Sequence, residues 1–239
     1  QDGEILVSKT VRRGFRTLEL RHSEIVEKDG CFEFVVNKKR IMATGTNWVP
    51  MDAYHSRDNS RYKAALDMAD DLGCNIIRCW GGNVYEDHKF FDFCDRNGIM
   101  VWQDFWLANP YDGPDPFNET IFLANAEDYL RRIRNHPSIG LYCGRNEGNP
   151  PQTIDNELVR MVSELHPGLH YISNSAAGPV SGHGPYRALP VNEYFAAERG
   201  KDRLHSERGM PNVMTYESMS RMLSEENQWP QNSVWGVHD

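Results

Sequence analysis

The chain has 239 residues, 39% of them hydrophobic and 25% charged with both signs mixed. This is an ordinary soluble globular composition, long enough for one large core and close to the ~250 residues of one α/β barrel. A formal charge of −8 with no basic block argues against nucleic acid as a partner, and no run approaches the ~18 apolar residues of a membrane span.

The chain starts at Gln1 without methionine and shows no signal peptide, so it reads as a mature, trimmed or excised segment. Its five cysteines (Cys31, Cys74, Cys79, Cys94, Cys143) are odd in number and form no CxxC. Most lie in apolar strand or helix patterns, which predicts buried free thiols rather than a zinc site.

Val11–Leu20 alternates and predicts a strand without an obvious hairpin partner. Cys31–Val36, a turn at Asn37–Lys39 and Arg40–Gly45 predict strand, turn, strand. The second leads into Thr46-Asn-Trp-Val-Pro50, taken as the first strand of a barrel and its C-terminal loop. Residues 58–72 carry Ala65, Leu66, Ala69 and Leu72 at helical spacing, and Gly73 closes that helix. Cys74–Trp80 is a second barrel strand with Arg78 near its C-terminal end, where a buried cation needs an anionic partner. Trp80-Gly-Gly-Asn-Val-Tyr-Glu86 follows, with glycines that allow a sharp turn and a tryptophan that offers an apolar face.

Residues 86–97 predict a helix closed by Asn97-Gly98. Ile99–Phe105 is a strand that is apolar until Gln103 and Asp104, and a Pro/Gly-rich loop with aromatics runs from Trp106 to Phe117. Residues 118–135 predict a helix with Asn118 as its N-cap. His136-Pro137-Ser138 stops it, and Ile139–Gly148 begins as a buried strand and ends in Asn146-Glu147. A carboxylate at the C-terminal end of a buried strand is expensive without a task or a partner. A helix over 154–165 and a strand over 170–175 come next. A sixth strand is placed loosely at 183–189 in a stretch rich in Gly and Pro. Residues 203–207 are a seventh strand ending in a second carboxylate, Glu207, and 215–223 predicts a helix. Counting gives seven strands and no visible eighth.

Two glutamates at the ends of two different strands suit glycoside hydrolysis, in which one carboxyl group is a proton donor and the other an ionised nucleophile or base. Asn146-Glu147 and Ser206-Glu207 resemble the catalytic strands of glycoside hydrolase family 2. Gly45-Thr-Asn-Trp-Val-Pro50, Trp80–Glu86 and Ile99–Phe105 are similar to β-mannosidase segments, and Leu204–Asn212 is similar to exo-β-glucosaminidase relatives in the same family. The likeness runs from about residue 32 onward.

The resemblance implies a (β/α)8 TIM barrel over residues 26–239, incomplete before its last strand, with residues 1–25 as the tail of a preceding β-sandwich. The other reading of that tail is an N-terminal extension of the barrel. It implies Glu147 as acid/base and Glu207 as nucleophile, with Arg78 and Tyr186 on the Glu207 carboxylate and Asn146 on the sugar 2-substituent. Trp80 offers a flat face to the sugar ring. Trp48 either lines the sugar pocket or is a packed core tryptophan, and Asp104 either bonds a sugar hydroxyl or supports a neighbour.

Asn83 departs from the family's third glycine. A tryptophan common in the stretch around His183 is missing, which puts the β-mannoside preference in doubt. The substrate implied is an oligosaccharide or glycoside, with no cofactor and no metal. The other partners implied are β-sandwich domains and a final barrel strand from the rest of a longer chain, without which the segment is expected to be inactive or nearly so. The setting implied is bacterial, periplasmic or secreted. Alternatives of the same family are exo-β-glucosaminidase and β-galactosidase. A non-catalytic carbohydrate-binding barrel needs no acid/base pair, and a cation-dependent hydrolase needs clustered His/Asp ligands at strand ends.

Overall fold

The structure, a computed structural model, describes residues 7–22, 31–52, 54–194, 203–209 and 214–237. Its first part is a three-stranded antiparallel sheet of β1 (Leu18–His22), β2 (Phe32–Val36) and β3 (Lys39–Ile41). The β2–β3 hairpin turns on Asn37 and Lys38, both with positive φ, as tight two-residue loops require. The partner missing from the sequence reading of residues 11–20 is β2: Leu18 pairs with Val36 and His22 with Phe32. The connection between them is residues 23–31, of which 23–30 lie outside the described residues. It is too long to carry the sequence signature of a tight hairpin.

A five-stranded parallel sheet follows, built of β4 (Gly45–Trp48), β5 (Ile76–Cys79), β6 (Met100–Asp104), β7 (Ile139–Arg145) and β8 (His170–Asn174) in that spatial order. A 3-10 turn (His55–Ser60) and α1 (Tyr62–Asp71), α2 (His88–Asn97), α3 (Glu119–Ile133) and α4 (Gln152–Leu165) fill the crossovers. Asp87 caps α2 and Asn118 caps α3, each accepting a backbone N–H. Gly98, at φ 72°, ends α2 in the left-handed conformation that glycine adopts most cheaply. No helix among the described residues is long and apolar enough to cross a membrane.

Alternation along the strands sends residues to two cores. Ile77, Cys79, Val101 and Tyr142 pack under the helices with Phe90, Phe91 and Leu130. Ile76, Met100, Trp102, Leu141 and Cys143 face the other way, against Phe32 and Phe34 of the antiparallel sheet. Fully burying one such side chain is worth about 1.5–3 kcal/mol, so the two clusters fix the sheet from both faces. The five cysteines are free, three of them buried and Cys31 and Cys74 half-buried.

The sixth strand is not at 183–189. It is β9 (Val180–Ser181), paired in parallel with β10 (Leu204–His205), and only an isolated bridge joins Tyr186 to Gly209. Gly182, Gly184 and Pro185 interrupt the run, so two residues pair before it turns away. Ser206 ties this pair between the ends of the larger sheet: its carbonyl accepts from Asn47 Nδ2 at 3.1 Å, and its hydroxyl donates to the Ser175 carbonyl at 2.7 Å. Seven parallel strands are thus present among the described residues, and β4 and β8 each have one strand neighbour. Three short helices, α5 (Val191–Tyr194), α6 (Tyr216–Met222), capped by Thr215, and α7 (Glu225–Gln228), and a 3-10 turn (Trp235–Val237) complete the description.

Candidate active site

Alternation along β5 puts Arg78 on the face opposite the helices, 4% exposed. Its guanidinium donates from Nε and Nη2 to the two oxygens of Asp104 (3.3 and 2.5 Å). Nη2 also donates to Asn146 Oδ1 (2.7 Å), and Nη1 to Glu207 Oε1 (2.7 Å). Asp104 is fully buried and takes a further hydrogen bond from Trp102 Nε1 at 2.7 Å. Burial alone would lower the Arg78 pKa, but the charge and hydrogen bonds of Asp104 outweigh it and hold the guanidinium charged. Burial pushes the Asp104 carboxyl up, against the pull of Arg78.

Glu147 follows β7 with its backbone in the left-handed region, φ 49°. The corner is held on both sides: Asn146 N–H donates to the Leu107 carbonyl (3.0 Å) and Glu147 N–H to Ser175 Oγ (2.9 Å). Gly81 lets the backbones meet there, since a Cβ on it would lie 2.4 Å from the Leu107 oxygen and 3.3 Å from Asn146 Cβ. Both glutamate side chains reach solvent only narrowly, Glu147 at 15% and Glu207 at 13% exposure.

The Tyr186 hydroxyl lies 2.7 Å from Glu207 Oε2 and 3.2 Å from Glu147 Oε1. These two distances, 2.7 Å and 3.2 Å, leave the two carboxylate oxygens at most about 5.9 Å apart. Desolvation and then the hydrogen bond to Glu207 raise the phenol's pKa and keep its proton in place. That single proton serves the shorter contact, with Glu207. His183 Nδ1 stands 3.3 Å from Glu147 Oε1.

Of the residues singled out by sequence, the structure gathers Glu147, Glu207, Arg78, Asn146, Tyr186 and Asp104 into one connected set. Asp104 lies beneath the set, bonded to Arg78 and Trp102, so it supports its neighbours and is closed to a ligand. Trp80 lies half-buried at the end of β5 with its ring folded over Gly82. Trp48 is corrected: it is a core residue, 4% exposed, tilted on Phe90 and stacked on Tyr62, with Nε1 donating to Glu86 Oε1 at 2.9 Å. The buried Glu86 claims its one polar atom and turns it away from the glutamate pair. Asn83, where the family carries glycine, ties the loop back through Nδ2 to the Trp48 carbonyl at 2.9 Å.

Sequence reasoning missed His183, Ser175 and Arg145. His183 lay inside the stretch that supplied Tyr186. Buried Arg145 grips the loop after β6, donating to the Ala108 and Gly113 carbonyls and to Asp115 at 2.5 Å. A cavity of about 320 Å³ opens on the other side of Arg78, between β4 and β10, and neither glutamate lines it. Asp92, Asp95 and His136 form one group able to hold a cation. Its bonds already have a structural use, because Asp95 accepts from His136 Nδ1 and from Ser138 N–H and fixes the turn before β7.

Two glutamates at the C-terminal ends of parallel strands, joined by one tyrosine hydroxyl and with one of them on a buried arginine, are an arrangement of the kind that glycoside hydrolysis uses. No family model matches the chain. It is 36% identical over 162 residues to the mannosylglycoprotein endo-β-mannosidase of Lilium longiflorum, covering 64% of this chain and 17% of that protein. It is 35% identical over 168 residues to the β-mannosidase of Rattus norvegicus, covering 69% and 18%. Among solved structures, the β-D-mannosidase of Dictyoglomus thermophilum matches at TM-score 0.74 and 27% identity over 90% of this chain and 29% of that one. The exo-chitosanase of Amycolatopsis orientalis, at 19% identity and TM-score 0.74 over 90% of this chain and 27% of that one, shares the fold. These matches support a β-mannosidase-like domain of glycoside hydrolase family 2. The chain spans less than a fifth of the length of the curated relatives it matches.

Proposed function

We propose that the protein carrying this chain is a retaining, exo-acting β-glycosidase that removes β-linked mannose, with Glu207 as nucleophile and Glu147 as acid/base. The observation that carries the reading is the asymmetry of the pair. Glu207 receives hydrogen bonds from both Arg78 and Tyr186, the setting of a carboxylate that attacks as an anion, whereas the side chain of Glu147 has, among the described residues, the longer tyrosine contact and His183.

Glu207 attacks the anomeric carbon as the bond to the leaving oxygen breaks, and Glu147 gives its proton to that oxygen. Water then enters, Glu147 takes one of its protons, and the hydroxyl displaces Glu207 from the anomeric carbon. Asn146, with its side-chain oxygen held by Arg78, turns its amide N–H toward the sugar 2-hydroxyl, and Trp80 offers a face to the ring.

We place the two sheets in one (β/α)8 barrel preceded by a β-sandwich ending near residue 25. The strand that completes the barrel comes from elsewhere in the longer chain and occupies the cavity between β4 and β10. The likeness to the solved β-mannosidase supports the barrel reading. We place the enzyme's work outside the bacterial cytoplasm, in the periplasm or the medium, where glycans are met.

The test uses the full-length protein and a panel of aryl β-glycosides (mannoside, galactoside, glucosaminide, glucuronide), with the mannoside expected to turn over fastest. Glu147→Gln is expected to lower kcat/KM by roughly 10²–10⁴-fold on a poor leaving group and far less on an activated phenol, which hardly needs a proton. Equal losses on both would refute the assignment of roles.

A further inference from the structure

Ser175 follows β8 directly and is fully buried. Each of its polar groups touches the catalytic pair's supports. Its N–H donates to the Arg145 carbonyl (3.1 Å), and its own carbonyl accepts from Ser206 Oγ (2.7 Å), one residue before Glu207. Its hydroxyl accepts from Glu147 N–H (2.9 Å) and donates its one proton to Asn146 Oδ1 (3.3 Å). Proton and lone pair are therefore both committed, with no competing use of the hydrogen.

Two consequences follow. Glu147 stands at φ 49°, a region sparsely populated by residues with a side chain, and such a conformation persists where its surroundings over-determine it. The Ser175 hydroxyl is the partner that holds its N–H. Asn146 Oδ1 receives both Arg78 Nη2 and Ser175 Oγ. An amide oxygen occupied twice fixes which end of the group faces the ligand, so the NH₂ is presented as a donor. One hydroxyl thus sets the backbone of one residue and the amide orientation of its neighbour.

We infer that Ser175 is a positioning residue for the reaction, acting through Glu147 and Asn146. The inference rests on Glu147 being the acid/base. It is tested with Ser175→Ala, Ser175→Cys, Glu147→Gln and the Ser175→Ala/Glu147→Gln pair in the full-length protein, assayed on aryl β-mannosides of graded leaving-group acidity with thermal unfolding measured alongside.

The alanine variant is expected to lose about 10–100-fold in kcat on the poorest leaving group, the scale of a misplaced catalytic group. It should lose several-fold less on the best, steepening the leaving-group dependence in the sense that Glu147→Gln does. Cysteine, a weaker hydrogen-bonding isostere, should fall between. In the paired variant the serine's leaving-group effect should vanish, because its target is gone. A uniform loss across leaving groups in Ser175→Ala, or a serine effect that persists undiminished in the paired variant, overturns the positioning role while leaving the glutamate assignments intact. A Glu147→Gln loss indifferent to the leaving group overturns the acid/base reading and this inference with it.

Discussion

Glu207→Gln in the full-length protein is expected to lower turnover by on the order of 10⁴-fold or more on every substrate, activated phenols included. The amide keeps the size of the carboxylate, Arg78 can still donate to its one oxygen, and its NH₂ can donate to the Tyr186 hydroxyl oxygen, so folding and sugar binding should survive. The lone pairs that would attack the anomeric carbon are lost to a weakly nucleophilic carbonyl. The two glutamates are thereby told apart, since replacing Glu147 should leave an activated phenol largely unaffected. Steady-state kinetics on a dinitrophenyl and a methyl β-mannoside, with binding measured separately, check the claim. A Glu207→Gln enzyme that keeps more than a few per cent of its activity on the activated substrate would move the nucleophile elsewhere.

Arg78→Met should cost the fold as well as the reaction. The arginine offsets the charge of a fully buried Asp104 and binds Glu207. Removing one partner of a buried pair typically destabilises by about 3–5 kcal/mol, because the remaining charge loses its compensation. Burial already raises the Asp104 carboxyl, and Arg78 opposes that rise. Without the arginine the folded-state pKa climbs further above the unfolded one. A carboxyl raised in the folded state binds its proton more tightly there than in the unfolded chain, so its stability contribution is lost as pH rises. The gap between wild type and Arg78→Met should therefore widen from acid toward neutral pH. Thermal unfolding of both proteins across that range tests it, and a gap independent of pH would mean that Asp104 is not the group left uncompensated.

The parts of the site legible in the sequence were those announced by a breach of pattern. Glu147 and Glu207 each end a strand-like run, and Arg78 and Asp104 interrupt apolar runs that have no reason to carry charge. Asn118 and Gly98 were legible for local reasons, because a cap and a helix stop are decided within a few residues. Trp48 was not, because its fate depends on Glu86, 38 residues further on, which takes its indole N–H. The sixth strand was missed because a two-residue pairing leaves no alternation to detect. Ser175 and His183 act across 28 and 36 positions (175 − 147 and 183 − 147), on a glutamate whose neighbours only folding decides. Serine and histidine in a loop carry no signal of such partners.

The antiparallel sheet of β1, β2 and β3 underlies the charged layer of Arg78 and Asp104, with Phe32 stacked on Trp102 at 6.0 Å between ring centroids. For traffic, that plug makes the site a cul-de-sac. On the proposed function, substrate therefore enters and the released sugar leaves on the side of the strands' C-terminal ends. Queueing at a single door has a kinetic signature: free mannose should inhibit competitively, raising the apparent KM while leaving kcat unchanged.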